Sequence, residues 1–466
     1  MRTPTAPFRA LVVLAAIAAA PACVTGPDYK RPPVVTPGEF RGGAGPSPAD
    51  AASLGDQTWT TVFDDEVLRQ LIDTALKQNY DLRIAASRIE QASAQYGIAH
   101  ADRFPTVTGQ ASAQGAQGSI IDGERLPFAG LVQLGGALSW ELDFWGKFRR
   151  ATEAARAEIA ASEWGRRAII TTLVSQVGTL YYDLRSLDLE LEIAQRTLAS
   201  REESLRLTEI RERGGAAPLV DVRQAEQLVY SARGSIVESQ RRIEQSENGL
   251  SVLLGRHPGP IPRGKPLTEQ GVPPTVPEGL PSTILERRPD IQAAEQVMVA
   301  ANARIGVAKA AYFPQISLTG SGGVASTALS DLFTAGAWSL GANLVQPIFN
   351  AGRNRSQVAL AEARREESEL VYQQTIQQAF REVADALVGY RRLREFRETQ
   401  QQVVIAAQDS RRLADLRYRG GATSYLEVID SDTRLFIAEL ALAEAQLAER
   451  AAYVEIYRAL GGGWKS

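Results

Sequence analysis

VQLGGALSWELDF, residues 132–144, puts Val132, Leu134, Gly136, Leu138, Trp140, Leu142 and Phe144 on one parity and Gln133, Gly135, Ala137, Ser139, Glu141 and Asp143 on the other. Period two held this long is the pattern of a strand with one apolar and one polar face. Residues 105–117 (PTVTGQASAQGAQ) alternate more weakly, and Gly123 and Pro127 stand in the loop between, so the two stretches predict a β-hairpin over about 105–145. Farther along, WSLGANLVQPIF (338–349) repeats the pattern behind FPQISLTG (313–320), predicting a second hairpin over about 314–349.

Around these four strands the period changes. From about Ala151 to Arg213 no proline interrupts the chain, and a helix of that length reaches about 95 Å. A shorter helix is expected over about 219–254, and the same long and short pair over about 353–419 and 424–460. Two further helices fill Trp59 to Arg103, broken near Asn79–Asp81 and ended by Phe104-Pro105, since proline disfavours helical geometry in the residue before it.

The programme is written twice. Ile170, Val174, Val177, Tyr181 and Leu184 step by four and three as a coiled-coil seam does, and Ile376, Phe380, Val383, Leu387 and Tyr390 take the same steps 206 residues on. RERGGAAPLVDVRQAE (211–226) is answered by YRGGATSYLEVIDSD (418–432), each a glycine pair between two helices with a carboxylate just past it. The expected organisation is a leader at 1–22, an extended Pro/Gly-rich linker at 23–58, a first repeat at 59–281 closing in a Pro-rich linker (255–281), and a second repeat at 282–466.

Four strands with an apolar face cannot close a barrel alone, since the smallest outer-membrane barrels need about eight. An open strand edge in lipid leaves backbone groups unsatisfied, so the strands must close by assembly of several copies, most simply with cyclic symmetry. Trp140, Phe144, Trp145, Trp338 and Phe349 lie near strand ends, where an aromatic girdle would sit, or else serve as ordinary packing aromatics. The long helices must then stand off the membrane.

Composition agrees with export and argues against most catalysis. Net charge is −3, with 51 basic against 54 acidic residues, which makes no case for nucleic acid. Two histidines and one cysteine leave little for metal or nucleophilic chemistry; His100 and His257 read as surface or packing residues, and no catalytic, cofactor or metal site is expected. Two arginines precede the apolar run ALVVLAAIAAA (10–20), which is too short to span the bilayer and reads as a secretory signal. Cys23, the only cysteine, follows small residues at the expected cleavage point and is the candidate lipidated first residue of an outer-membrane lipoprotein. Ala20 stands where lipidation signals usually carry leucine, and Val24 rather than aspartate follows the cysteine.

Several stretches together resemble the TolC-like outer membrane factor family, and within it the NodT-type efflux lipoproteins of resistance-nodulation-division tripartite pumps. They are CVTGPDYKRP, WELDFWGKFRRATEAARAE, RRPDIQAAEQ, ANARIGVAKAAYFPQISLTG, LVQPIFNAGR, YRGGATSYLEVIDSD and YRALGGGW, spread over 23–464. The resemblance implies a mainly α chain with a transmembrane β part. Three copies would form one 12-stranded barrel, four strands from each, continued by a long periplasmic α-helical coiled-coil barrel. It implies a homotrimer in outer membrane lipid, served by a periplasmic adaptor and an inner-membrane pump, that passively conducts drugs or other small molecules outward. An exit duct for one-step protein secretion or for heavy-metal efflux is the alternative.

The resemblance also gives the turns a role. Gly214, Gly215, Gly420 and Gly421 would ring the periplasmic mouth, with Asp221, Glu427 and Asp430 narrowing the aperture and Arg213 and Arg419 as candidates for holding it shut. Glu427 stands where the family often has aspartate, and Thr423 where some members carry a locking arginine. The alternative reading of these acids is compensation of the helix dipole, worth about 0.3–1 kcal/mol each.

Overall fold

The computed structural model describes residues 24–41, 53–117, 120–121, 124–125, 128–271, 276–277, 279, 281–327, 331–334 and 336–464. The leader at 1–22 and Cys23 lie outside the described residues, as do Gly123 and Pro127. The strands and the longer helices are α1 (Glu66–Gln78), α2 (Tyr80–Ala101), β1 (Thr106–Gln117), β2 (Ile120–Ile121), β3 (Glu124–Arg125), β4 (Phe128–Glu141), α3 (Lys147–Arg213), α4 (Leu219–Leu253), α5 (Pro289–Ala310), β5 (Gln315–Ser326), β6 (Gly336–Val345), α6 (Arg353–Arg419) and α7 (Tyr425–Ala459). Most paired elements of the two repeats match in length: α2 and α5 have 22 residues each, β1 and β5 12, α3 and α6 67, α4 and α7 35, whereas β4 has 14 and β6 10. No described helix is long and apolar enough to cross a membrane.

The chain forms two compact units. One comprises residues up to Pro33, Arg88–Ser162 and Ala294–Tyr372. It holds a four-stranded antiparallel sheet in the order β1-β4-β5-β6, so the first hairpin lies beside the second and β4 meets β5 at the join. The β1–β4 register runs from Thr106 opposite Ser139 to Gln117 opposite Phe128, and the β5–β6 register from Gln315 opposite Val345 to Val324 opposite Gly336. At the join Gly135 faces Gly323 and Gly136 faces Gly322. A Cβ on Gly135 would stand 2.7 Å from the Gly322 carbonyl oxygen, and one on Gly323 would collide with the Leu134 carbonyl, so only glycine permits this approach. The loop expected between the first two strands contains a further short ladder, Ile120–Ile121 against Glu124–Arg125.

Apolar side chains stand outward from this sheet, among them Leu134, Leu138, Trp338, Leu340 and Leu344. Trp338 is 79% and Phe349, past the end of β6, 88% exposed, whereas Trp145 stacks on Phe313 at 4.7 Å and donates from Nε1 to the Pro314 carbonyl at 2.8 Å. Trp145 is thus a packing aromatic of this unit. Residues 24–33 run without regular structure but are fastened. The Thr25 N–H and hydroxyl both donate to the Trp145 carbonyl, at 3.0 and 2.9 Å. Buried Glu295 accepts from the Tyr29 hydroxyl at 3.0 Å and from Arg31 Nε at 2.7 Å.

The second unit comprises Val34–Ser87, Glu163–Ala293 and from Gln373 onward. Most of the seam residues expected here pack as its core: Val174, Val177, Tyr181 and Leu184 are at most 1% exposed, and Ile376, Val383, Leu387 and Tyr390 at most 5%, while Ile170 and Phe380 are half-buried. Asp65 caps α1, accepting from the Val67 N–H at 2.8 Å, and also takes the Tyr181 hydroxyl at 2.7 Å and the Lys265 N–H at 2.9 Å. Burial, then the Asp65 carboxylate, pushes the Tyr181 hydroxyl's pKa well up. Arg450 donates to the Leu267 and Gln270 carbonyls at 2.7 and 2.5 Å, so side chains from both repeats hold this Pro-rich segment.

Candidate functional site: the paired glycine turns

Both long helices end in the same hydrogen-bonded device. After α3 the Ala216 N–H reaches the Arg211 carbonyl at 2.7 Å and the Gly215 N–H the Glu212 carbonyl at 2.8 Å. After α6 the Ala422 N–H reaches Arg417 at 2.8 Å and the Gly421 N–H Tyr418 at 3.0 Å. This six-to-one and five-to-two pair is the Schellman motif, which needs a left-handed residue at its centre. Gly215 (φ 73°) and Gly421 (φ 72°) supply it. The next helix starts with Pro218 or Ser424 as N-cap, neither making a side-chain cap bond. Asp221 and Glu427 fall in the first turn, where a carboxylate meets the positive end of the helix dipole.

The side chains differ between the turns. Glu427 accepts from Arg417 Nη1 at 2.9 Å and from the Thr423 hydroxyl. Asp221 makes no side-chain hydrogen bond or ion pair among the described residues. Burial raises its pKa above the ordinary aspartate value, against the opposing pull of Arg211. Asp430 pairs with Arg434 at 2.8 Å on an exposed face of its own helix. Of the two arginines singled out in the sequence, Arg419 pairs with Asp415 at 2.9 Å and Arg213 donates to the Glu209 carbonyl at 3.3 Å. Within one chain, then, neither reaches the turn acids.

Other residues join the two repeats here. Arg211 donates to the Tyr418 carbonyl at 3.2 Å and lies over the Tyr418 ring at 4.4 Å. Tyr418 packs against Tyr425 at 5.2 Å, and the Tyr425 hydroxyl meets Ser204 Oγ at 3.0 Å. Deeper in, Arg201, 3% exposed, donates from Nε to Asp432 at 2.8 Å and from Nη1 to the Leu228 carbonyl at 3.0 Å. Arg411 approaches the other oxygen of Asp432 at 3.6 Å. One carboxylate from α7 is therefore shared by guanidinium groups from α3 and α6. Sequence reading missed this group. The repeat offset could have flagged it: Glu226, 206 before Asp432, keeps the acid, but Ala407 stands 206 residues after Arg201 and Leu205 206 before Arg411, so the two guanidinium groups have no repeat copies.

The family model for outer membrane efflux proteins matches residues 71–256 and 280–462. The cation efflux system protein CusC of Escherichia coli O6:H1 is 36% identical over 446 residues, covering 95% of this chain and 96% of its own. Outer membrane protein OprJ of Pseudomonas aeruginosa is 37% identical over 474 residues, covering 100% of this chain and 97% of its own. Among solved structures, the open state of the MtrE outer membrane channel of Neisseria gonorrhoeae superposes with a TM-score of 0.85 at 32% identity, covering 95% of this chain and 99% of that one. Two successive matches to one family model, laid over two structural repeats of equal helix lengths, leave one assignment: the chain belongs to the outer membrane efflux protein family, and is an outer-membrane duct of an efflux pump rather than an enzyme.

Proposed function

We propose that three copies of the chain close one twelve-stranded barrel in the outer membrane and that their helices continue it as a periplasmic tube. The observation that carries this is the strand order β1-β4-β5-β6, which leaves β1 and β6 as open edges of a sheet with exposed Trp338, Leu340 and Leu344. In lipid such edges must pair, and β6 of one copy against β1 of the next pairs them all. Mass measurement in mild detergent, with disulfide trapping between cysteines placed on β1 and β6, tests it. A trimer with trapped dimers and trimers is expected; a well-folded monomer overturns it.

In this assembly the six glycine turns ring the periplasmic mouth, and Asp221, Glu427 and Asp430 from three chains make it acidic. Rings of carboxylates favour cations. The combined Asp221→Asn, Glu427→Gln and Asp430→Asn variant should lose cation selectivity in single-channel recordings, and unchanged selectivity would leave these acids as helix-cap residues. A periplasmic adaptor docks on the tube and an inner-membrane pump supplies the solute. Cys23 carries lipid in the outer membrane, a reading supported by its place next to the fastened strap that begins at Val24 and Thr25. The exported solutes are drugs or other small molecules. The kinship with CusC, described as a cation efflux protein, favours metal cations as the second reading. Restoring either drug resistance or heavy-metal tolerance to a strain lacking its own duct separates the two.

A further inference from the structure

In the unit that holds the sheet, each of the four sheet strands has a helix at one end, and the helices keep the order of the strands. α2 meets α3 where the Thr152 hydroxyl donates to the Ala99 carbonyl at 3.3 Å and Arg156 lies over the Tyr96 ring. α3 meets α5 through Ala154 and Ala157 on Ala300 and Ala303, and through the Glu158–Arg304 ion pair. α5 meets α6 where Asn354 Nδ2 donates to the Ala311 carbonyl at 2.7 Å and Lys309 pairs with Glu362 at 3.1 Å. The outer helices are therefore α2 and α6, as the outer strands are β1 and β6. Each keeps one uncovered face. Gln91, Ala94 and Ile98 on α2, and Leu360, Ala363, Glu367 and Leu370 on α6, are all exposed and step by three and four, the spacing of a coiled-coil seam. Arg88 and Glu90 flank the α2 seam, and Arg364 stands beside Glu367 on α6. None of these four charges makes an ion pair among the described residues, whereas Glu362 and Arg365, which face residues 27–30, are both paired. The contacts at Ala99 and Ala311 set the sheet-side helix ends at one height. Counted from those ends, Ala101 and Arg353, Glu90 and Arg364 each lie 11 residues away and Arg88 and Glu367 lie 13 and 14, about 16–21 Å along the helices.

We propose that these faces are the surface by which copies of the chain recognise one another: α6 of one copy packs antiparallel on α2 of the next, with Arg88 paired to the partner's Glu367 and Glu90 to the partner's Arg364. The directions agree, since α2 runs toward the sheet and α6 away from it. Where β6 meets the next copy's β1, the helices at their ends meet as well, so the inference rests on the closed ring proposed above. It adds what decides which chains enter that ring. A positive and a negative group on each face, crossed between copies, accept a second copy of this chain, and a duct with a different charge pattern there sets like charges together. Ile98, Leu360 and Leu370 supply apolar area, which by itself does not tell one partner from another.

Charge exchange in the full-length protein tests it. Arg88→Glu alone and Glu367→Arg alone each place like charges at every joint between copies, and their trimers should dissociate at a lower concentration of denaturing detergent than the parent's. The combined Arg88→Glu and Glu367→Arg chain crosses the pair over and should return close to the parent, a recovery that a merely structural role for either residue would not give. Differently tagged chains made in one cell then report recognition. Parent with parent should mix at random, about three quarters of the trimers carrying both tags at equal expression. Parent with the combined variant sets like charges at two joints of every mixed trimer, and mixed trimers should fall at least about tenfold. The proposal is overturned if the combined variant is no more stable than the single ones, if it does not assemble, or if it mixes with the parent at the random value. A parent that is a monomer in mild detergent removes the ring itself, whereas a trimeric parent with random mixing removes this inference and leaves the ring standing.

Discussion

The turn at 213–221 and the turn at 419–427 share a backbone and not a chemistry. Their central glycines differ by one degree in φ, and their Schellman hydrogen bonds agree to within 0.2 Å. Yet Glu427 is clamped by Arg417 and Thr423 while Asp221 is partly buried with no ion pair among the described residues, and the Arg201–Asp432–Arg411 group belongs to one repeat's register only. Duplication preserved what the main chain needs. Side chains facing the partner repeat were free to diverge, and the divergence marks where the two halves do different work.

The sharpest way to break this comparison is to remove Asp432. Asp432→Ala leaves Arg201 buried and unpaired, which should cost about 3–5 kcal/mol in denaturant unfolding of the detergent-solubilised protein. Glu226→Ala, at the matching position of the other repeat, loses only an outward pair with Arg223 and should cost about 0.2–1 kcal/mol. Equal costs would erase the asymmetry. Next in size are the glycines: Gly215→Ala and Gly421→Ala should each cost about 1–2 kcal/mol, and equally, because both must hold a left-handed backbone. Unequal losses by the same measurement would mean that the turns are not one device.

The smallest effect concerns the acids. Glu427→Gln should cost about 0.2–1 kcal/mol at neutral pH, since its partner Arg417 is itself exposed. Asp221→Asn should be neutral or slightly stabilising. Burial raises the Asp221 pKa, so its ionised form is less well accommodated folded than unfolded. Any stability it contributes is present below the ordinary value of 3.8 and is lost as the pH rises through the higher folded value. The advantage of Asp221→Asn should therefore grow as the pH rises from the ordinary value of 3.8 toward neutrality in a series of melting curves, and an advantage that shrinks in that direction would reverse the assignment.

The regular parts of the fold were legible because each rests on a local period. The proline-free run from Ala151 to Arg213 became α3, which also takes in Lys147–Arg150, and the alternation of 132–144 became β4 only as far as Glu141, with Leu142, Asp143 and Phe144 lying past its end. Tyr181 and Tyr390 announced a core through their steps of four and three. The β2–β3 ladder was missed because two-residue strands have no period to read. The docking of Thr25, and of Lys265 on Asp65, was missed because composition reports what a segment cannot form and not what it touches. At the turns, sequence and resemblance located the glycines and Asp221, Glu427 and Asp430. They could not show that Arg213 and Arg419 stay on their own helices, nor that Arg201 crosses to Asp432, because long-range pairing of a charge leaves no trace in local spacing.

The four glycines where β4 meets β5 have a consequence for how the sheet can bend. Gly135, Gly136, Gly322 and Gly323 sit opposite one another across the line where the two repeats join, and nothing larger than hydrogen fits at Gly135 or Gly323. Of the β4–β5 pairs only these two adjacent rungs carry no side chain on either strand. Glycine kinks are where strands bend most easily, so bending of the sheet is easiest at these rungs. A change in the curvature of the sheet would thus begin there, through backbone torsion alone, with no side chain having to repack.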